Sequence, residues 1–210
     1  MTPPLIHLIR HGESLHNIHP NHPHPDPPLT KRGHHTTKHT TLPTPPDLIL
    51  ISPLTRTLQT AVNMFPSLLT TPPQIPVQIW PSLCETHNTS PCNTGSPRAA
   101  LQTAFPSLDF STCPETWDFP PHTHADATAR AERVRAELLR LSQTYHSIAV
   151  VTHRGFKEYL VKGRRFGLGE VRSYRFATLE EGREEGVRWG VDGETGAVRD
   201  FGPTVLVLWG

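Results

Sequence analysis

Short apolar runs recur along the chain between longer segments that have helical periodicity. The runs Leu5–Ile9, Leu48–Ile51 and Ile148–Thr152 are apolar over nearly all of their length. This pattern is typical of strands that are buried on both faces of a parallel sheet. We therefore expect these three segments to form the centre of the sheet.

Three further runs predict additional strands. Ile75–Trp80 alternates weakly, and Pro76 favours an edge position because proline cannot donate to the ladder. Tyr174–Thr178 and Val205–Trp209 predict strands late in the chain. The acidic, glycine-rich run Glu180–Gly196 between them predicts a hairpin or a loop.

Helical periodicity is clearest over Ala125–Tyr145. Apolar residues recur there on one face, at Val134, Leu138, Leu141 and Tyr145. Arginines and glutamates occupy the other face. Thr57–Phe65 predicts a second helix that ends before Pro66, and Gly155–Lys162 predicts a short third one. Strands that alternate with helices imply an α/β sandwich around a largely parallel sheet.

Two segments are rich in turn-forming residues and predict loops. Residues 19–28 are mostly proline and histidine, and residues 86–121 show little periodicity. A loop as long as the second is usually functional, so we expect an insertion beside an active site.

At 210 residues the chain is long enough for one full hydrophobic core, and we expect a single domain over residues 1–210.

Composition excludes several classes of protein. The 20 basic and 19 acidic residues give a net charge of +1, which predicts no nucleic-acid or membrane partner. No run is long enough to span a membrane, and the N-terminus does not resemble a secretory signal. The three cysteines, Cys84, Cys92 and Cys113, lack metal-type spacing and favour a reducing compartment. We expect a soluble cytoplasmic protein, and the sequence predicts no oligomeric state.

Cationic side chains follow three of the predicted strands. Arg10 and His11 follow the first, Arg56 follows the second near a helix start, and His153 follows Ile148–Thr152. Because ligands of α/β proteins bind at the carboxyl ends of the strands, these side chains are expected to converge. Guanidinium groups suit phosphate oxygens.

This set of residues predicts phosphoryl transfer. A neutral imidazole can attack phosphorus while arginines and a second imidazole balance the charge of the transition state. Such a balance needs no metal and no cofactor. The leaving oxygen requires a proton donor, and Glu85, just beyond the third strand candidate, is the best-placed carboxylate. His19, His22 and His24 lack an accompanying carboxylate cluster, so we interpret them as chance composition rather than a metal site.

Five blocks of sequence in a fixed order carry a family resemblance. They are Arg10–Glu13 with His16-Asn17, Asp26–Gly33, Ser52–Ala61, Cys84-Glu85 with Pro91–Ser96, and Val151–His153 with Arg172–Phe176. They resemble the signatures of the histidine phosphatase superfamily (phosphoglycerate mutase-like), in the branch common in fungi and plants. The resemblance spans nearly the whole chain.

The resemblance implies a three-layer α/β/α sandwich of the phosphoglycerate mutase-like type and a role for each matched residue. His11 would accept the phosphoryl group, and Glu85 would protonate the leaving group. The phosphate would be held by Arg10, Asn17, Arg56 and His153.

Two positions depart from the family pattern. Thr36 stands where glutamine is usual, which we take as minor. Arg154 follows the second catalytic histidine, where a small residue is usual. Arg154 could bind the substrate phosphate or a second anionic group of the substrate. It could also point to solvent, or block the position that the substrate usually takes in the family.

The favoured function is hydrolysis of a phosphate monoester of a small metabolite through a phosphohistidine. One alternative is a repurposed member that binds an anionic ligand or catalyses an elimination or isomerisation. A phosphoglycerate-type mutase is disfavoured because such enzymes are usually longer. A protein-interaction module has only the proline-rich loop in its favour. The substrate is not identified by the sequence.

Overall fold

A mixed sheet lies at the centre of the computed structural model, which describes residues 2–19, 21–69, 75–118, 123–191 and 196–210. Its strands are β1 (Leu5–Arg10), β2 (Leu48–Ile51), β3 (Val77–Ile79), β4 (Ser147–Thr152), β5 (Val171–Phe176) and β8 (Leu206–Leu208). A separate antiparallel hairpin pairs β6 (Trp189–Val191) with β7 (Val198–Asp200).

The strand order is β3-β2-β4-β1-β5-β8. The first four strands are parallel, whereas β5 runs antiparallel to both β1 and β8. Arg10 lies opposite Thr152, and Ile51 lies opposite Val151. The residues that follow β1, β2 and β4 therefore emerge together at one edge, as a parallel sheet requires.

Helices cover both faces of the sheet. They are α1 (Leu15–Ile18), α2 (Lys31–Lys38), α3 (Thr55–Met64), α4 (Arg98–Ala104), α5 (His124–Leu141), α6 (Arg154–Leu160) and α7 (Glu185–Arg188). Ile148 and Val150 of β4 face a core that includes α5 and α6, whereas Ala149 and Val151 face a core that includes α3 and α4. This alternation gives the predicted three-layer sandwich.

The predicted elements are present with shifted ends. The helix expected over Ala125–Tyr145 ends four residues early, at Leu141, although the Tyr145 amide still donates to the Leu141 carbonyl. The strand expected over Tyr174–Thr178 starts earlier, at Val171. No helix among the described residues is long and apolar enough to cross a membrane.

Three segments correct the sequence analysis. Helix α4 lies within residues 86–121, so that segment is not all loop, and residues 119–121 lie outside the described part. Helix α2 was not predicted. The run Glu180–Gly196 contains helix α7, which was not predicted, and strand β6, which forms a hairpin with β7 as one of the two predicted alternatives; its residues 192–195 lie outside the described part. Of residues 19–28, all but Pro20 are described, and 21–28 are irregular as expected.

Helix α2 packs through small side chains rather than apolar ones. Its buried residues are Gly33 and Thr37. A Cβ on Gly33 would lie 2.0 Å from the Glu13 carbonyl oxygen, so only glycine permits this approach. The segment that follows His11 therefore lies directly against α2.

Candidate active site

The site is built where the segments after β1, β2 and β4 meet. The backbone amide of His11 donates to Thr152 O at 3.1 Å, and that of Ser52 donates to Val151 O at 3.1 Å. The rings of His11 and His153 consequently lie with centroids 5.4 Å apart. The two histidines predicted from separate strand ends face each other across the site.

His11 is held as a neutral imidazole with one nitrogen toward the site. Its Nδ1 lies 2.7 Å from the Gly12 carbonyl oxygen, which can only accept, so Nδ1 carries the proton. Burial, followed by the charges of Arg56 and Arg10, lowers the pKa of His11 well below its usual value. The lone pair is therefore on Nε2, as a nucleophile needs.

Arg10 and Arg56 are buried guanidinium groups held by uncharged acceptors. Arg10 Nη1 donates to Phe166 O at 2.7 Å. Arg56 donates to Cys92 O at 2.6 Å and to Asn93 Oδ1 at 3.0 Å. Neither forms an ion pair with another described residue, and the Nε of each is buried without a partner. Their positive charge is therefore available to an anion.

His153 is fixed from behind by a hydroxyl group. Its Nε2 lies 2.8 Å from Ser52 Oγ, and its buried Nδ1 has no hydrogen-bond partner among the described residues. Burial, Arg56 and His11 lower the pKa of His153 well below its usual value, which favours the neutral ring. When Ser52 donates to Nε2, the proton of His153 is on Nδ1, where a phosphate oxygen can accept it.

Glu85 caps the helix that follows His153. Its carboxylate accepts from the backbone amides of Phe156 at 2.8 Å and Gly155 at 3.3 Å. A Cβ on Gly155 would lie 2.5 Å from Glu85 Oε1, so glycine permits the contact. Arg130 donates to the Glu85 and Cys84 carbonyls, each at 2.8 Å, and anchors the backbone. This places Glu85 at the wall of a cavity that His16 and Arg154 also line.

Asn17 stands beside the site and orients a further imidazole, His16. Its Oδ1 accepts from the Ser14 amide at 2.9 Å, and its Nδ2 donates to His16 Nε2 at 3.1 Å. The His16 ring lies 5.8 Å from that of His11. Burial, Arg56 and Arg10 lower the pKa of His16 to about 3. Sequence reasoning assigned His16 no role, although it stands in the first block of the motif.

Arg154 is the first residue of α6 and is exposed to solvent at the mouth of the site. It forms no ion pair with another residue in the described ranges. Burial is the main reason why the pKa of Arg10 is lowered to about 10, and the charge of Arg154 adds to this effect. Arg154 thus lies close enough to influence the site electrostatically.

A cavity of about 710 Å³ opens beside His16, Glu85 and Arg154. His16, Glu85 and Arg154 line its catalytic end, and the side chains of Arg165 and Arg199 also line it. Arg165 and Arg199 were not predicted. Arg165 belongs to the region after the last motif histidine, and Arg199 belongs to a hairpin with no recognisable sequence signature. In the described part of the chain, no group of three or more His, Cys, Asp or Glu side chains has the geometry of a metal site.

Fold and site together define a protein of the phosphoglycerate mutase-like class, with paired histidines and buried arginines at the carboxyl edge of the sheet. The family model described as the histidine phosphatase superfamily (branch 1) matches residues 6–178. The chain belongs to this superfamily.

Relatives of the chain are named as phosphatases. A probable phosphatase of Schizosaccharomyces pombe is 30% identical over 161 residues, which cover 70% of this chain and 73% of that protein. A solved structure from Escherichia coli K-12, described as a candidate alpha-ribazole-5'-phosphate phosphatase, is 25% identical, with a TM-score of 0.57 over 82% of this chain and 90% of that one. A mycobacterial glucosyl-3-phosphoglycerate phosphatase shares the fold, with 18% identity and a TM-score of 0.55 over 83% of this chain and 92% of that one.

Proposed function

We propose that the protein is a metal-independent phosphatase that hydrolyses the phosphate monoester of a small metabolite through a phosphohistidine at His11. The observation that carries the proposal is the position of His11. Its Nδ1 is committed to Gly12 O, its ring centroid lies 5.4 Å from that of His153, and its pKa is lowered by burial and by the charges of Arg56 and Arg10, which form no ion pair with any residue that the structure describes. Membership of a superfamily with phosphatase relatives supports it.

The first step forms the phosphoenzyme. The Nε2 lone pair of His11 attacks phosphorus, and the bond between phosphorus and the alcohol oxygen breaks. Arg10, Arg56 and the Nδ1–H of His153 donate to the phosphoryl oxygens, and Asn17 is a further donor from its amide. Glu85 gives its proton to the leaving alcohol.

The second step releases phosphate. Glu85, now a carboxylate, takes a proton from water as that water attacks phosphorus. The bond between phosphorus and Nε2 breaks, and neutral His11 is restored. All charges are balanced by side chains, so neither step uses a metal ion.

Steady-state hydrolysis of an aryl phosphate tests the proposal. His11→Ala should reduce kcat to background while circular dichroism and thermal melting show an intact fold. His146→Ala is the matched control, because this exposed histidine precedes β4 at the opposite edge of the sheet. Turnover by His11→Ala within about tenfold of the parent would mean that another group attacks.

We also propose a cytoplasmic location. Cys84, Cys92 and Cys113 are all free thiols, which suits a reducing compartment. A fluorescent fusion in living cells tests this, and accumulation in a secretory compartment would contradict it.

A further inference from the structure

Lys157 is a buried lysine that the proposed mechanism does not use. It lies on α6, one turn after His153, whose carbonyl oxygen accepts from the Lys157 amide at 3.2 Å. The residue is 1% exposed, and its Nζ has no hydrogen-bond partner among the described residues. A buried amino group without a partner is costly, and such groups concentrate at functional sites.

The surroundings of Lys157 connect it to the phosphate site. Its Nζ lies 3.6 Å from the centroid of the Phe166 ring, and the carbonyl oxygen of the same Phe166 accepts from Arg10 Nη1 at 2.7 Å. The guanidinium of Arg172 lies over the same ring at 3.9 Å. Lys157 is therefore joined to the site twice, through His153 at the start of its own helix and through Arg10 at the end of β1.

The charged groups around Lys157 disfavour its ammonium form. Burial and the charges of Arg10 and Arg172 lower the pKa of Lys157 well below its usual value. The carboxylates of Glu170 and Glu85 act in the opposite direction with a smaller effect. Glu170 also pairs with Arg172 at 2.8 Å, so much of its charge is compensated. The neutral amine is therefore favoured while no anion is bound.

A phosphate bound by Arg10 and His153 would reverse this balance. Its negative charge would lie beside the groups that otherwise disfavour the ammonium, and an anion nearby favours the charged form of an amine. Salt screens charges in a buried site only weakly. Lys157 and the site are already coupled electrostatically, because its charge is among those that lower the pKa of His153.

We propose that Lys157 takes up a proton from solvent when the reacting phosphate binds, and returns it when inorganic phosphate leaves. The ammonium then adds a buried positive charge behind the phosphate that Arg10 and Arg56 hold. Lys157 does not touch the phosphate. Its charge acts through Arg10 and the ring of Phe166, so it is a positioning residue. This inference rests on the proposed phosphatase function.

Sulfate is the probe that tests the inference, because it resembles phosphate in shape and charge but holds no proton near neutral pH. Calorimetric titration of the intact protein in buffers of different ionisation enthalpy gives the number of protons taken up with each sulfate. At its maximum between about pH 5 and about pH 9, the wild type should take up about 0.3 proton or more beyond Lys157→Met. The sulfate affinity of the wild type should also fall more steeply as the pH rises.

Lys157→Met keeps the length of the side chain and removes the amino group. Its melting temperature should be unchanged or higher, because an apolar group replaces a buried amine, whereas loss of a purely structural contact would lower it. Where proton uptake is largest, this variant should bind sulfate about tenfold more weakly than the wild type. Lys38→Met, at an exposed lysine of α2, should match the wild type in both proton uptake and affinity.

A second measurement needs no variant. The chain has four lysines, Lys31, Lys38, Lys157 and Lys162, so lysine labelled with ¹³C at Cε gives four signals. A neutral amine near neutral pH is expected of Lys157, whose Nζ is buried without a partner. Its signal should move from the position of a neutral amine to that of an ammonium when sulfate is added, while the other signals keep their positions.

The outcomes separate the inference from the function on which it rests. Equal proton uptake by the wild type and Lys157→Met, or a Lys157 signal that sulfate leaves unchanged, would overturn the inference and leave the phosphatase proposal standing. A lower melting temperature with unchanged sulfate affinity would assign Lys157 a structural role only. Failure of the wild type to bind sulfate would contradict both proposals. Sulfate binding with proton uptake, but without hydrolysis of any phosphate ester, would contradict the phosphatase proposal alone.

Discussion

The carboxylate of Glu85 accepts a hydrogen bond of 2.8 Å from the backbone amide of Phe156, which joins the proposed proton donor to the helix that begins after His153. The contact depends on Gly155, whose missing side chain leaves room for the carboxylate. One local structure therefore positions both the second histidine and the acid. A change at Glu85 can be expected to affect leaving-group protonation more than phosphate binding.

Glu85→Gln should lower kcat much more for substrates with poor leaving groups than for substrates with good ones. An alkyl phosphate needs a proton on its departing oxygen, and loss of a general acid costs about 10²–10⁴-fold in rate. An aryl phosphate with a good leaving group needs little protonation and should lose less than about tenfold. Comparison of kcat on the two substrate types checks this, with melting temperature as the control for folding. Equal losses, or none, would move the acid role to an Asp or Glu of residues 86–118.

Chelation should leave the activity unchanged. In the proposed mechanism the groups that face the phosphate are side chains of arginine, histidine and asparagine, and the arginines supply the positive charge that a metal would otherwise provide. Aryl phosphate turnover measured after exhaustive treatment with EDTA checks the prediction. Activity lost in EDTA and restored by a divalent ion would show that a metal participates.

Asp26 should contribute to stability and to activity through α3. Its carboxylate accepts from the Thr55 amide at 2.8 Å and the Thr55 hydroxyl at 2.7 Å, so it caps the helix that carries Arg56. Asp26→Ala should lower the free energy of unfolding by about 1–3 kcal/mol, measured by urea denaturation. Asp109→Ala, at an exposed aspartate that bonds within its own turn, should cost about 0.5 kcal/mol or less. Similar costs for the two variants would mean that the cap has no special role.

His16 should make the free energy of unfolding depend on pH. Its pKa is lowered to about 3 by burial and by the nearby arginines, whereas the unfolded chain binds the same proton near pH 6.5, about the value of a free imidazole. Between these values the unfolded state holds more protons, so the free energy of unfolding should decline as the pH falls from about 6.5 towards 3. His16→Gln should make this decline shallower in urea titrations at several pH values. An unchanged slope would show that folding does not lower the pKa of His16.

The sheet and the catalytic end of the site could be predicted because their signals are local. Leu48–Ile51 is a strand with the predicted ends, since a short apolar run between prolines has few alternatives. Parallel strands then bring His11 and His153 to one edge, whatever their separation along the chain. A strand end is thus a strong guide to where reactive side chains meet.

Other parts of the fold and of the site could not be predicted, because no pattern in the neighbouring sequence indicates them. Helix α2 buries Gly33 and Thr37, so no apolar stripe reveals it. His16 belongs to the site because of its neighbours in space, and its polar character gave no indication of its burial. Arg199 reaches the cavity through a hairpin that contacts the rest of the protein through hydrogen bonds from Arg199 Nη1 to Glu158 O and from Lys162 Nζ to Trp189 O. Long-range packing of this kind leaves no pattern in neighbouring residues.

We expect Nε2 of His11 to become phosphorylated during turnover. The most direct measurement is rapid quenching into base during hydrolysis of an aryl phosphate, followed by mass spectrometry of the peptide that contains Arg10 and His11. We expect one acid-labile, base-stable phosphoryl group on His11, in wild-type protein and in the His146→Ala control. A phosphoryl group on another residue, or turnover without any phosphoenzyme within the dead time, would contradict it.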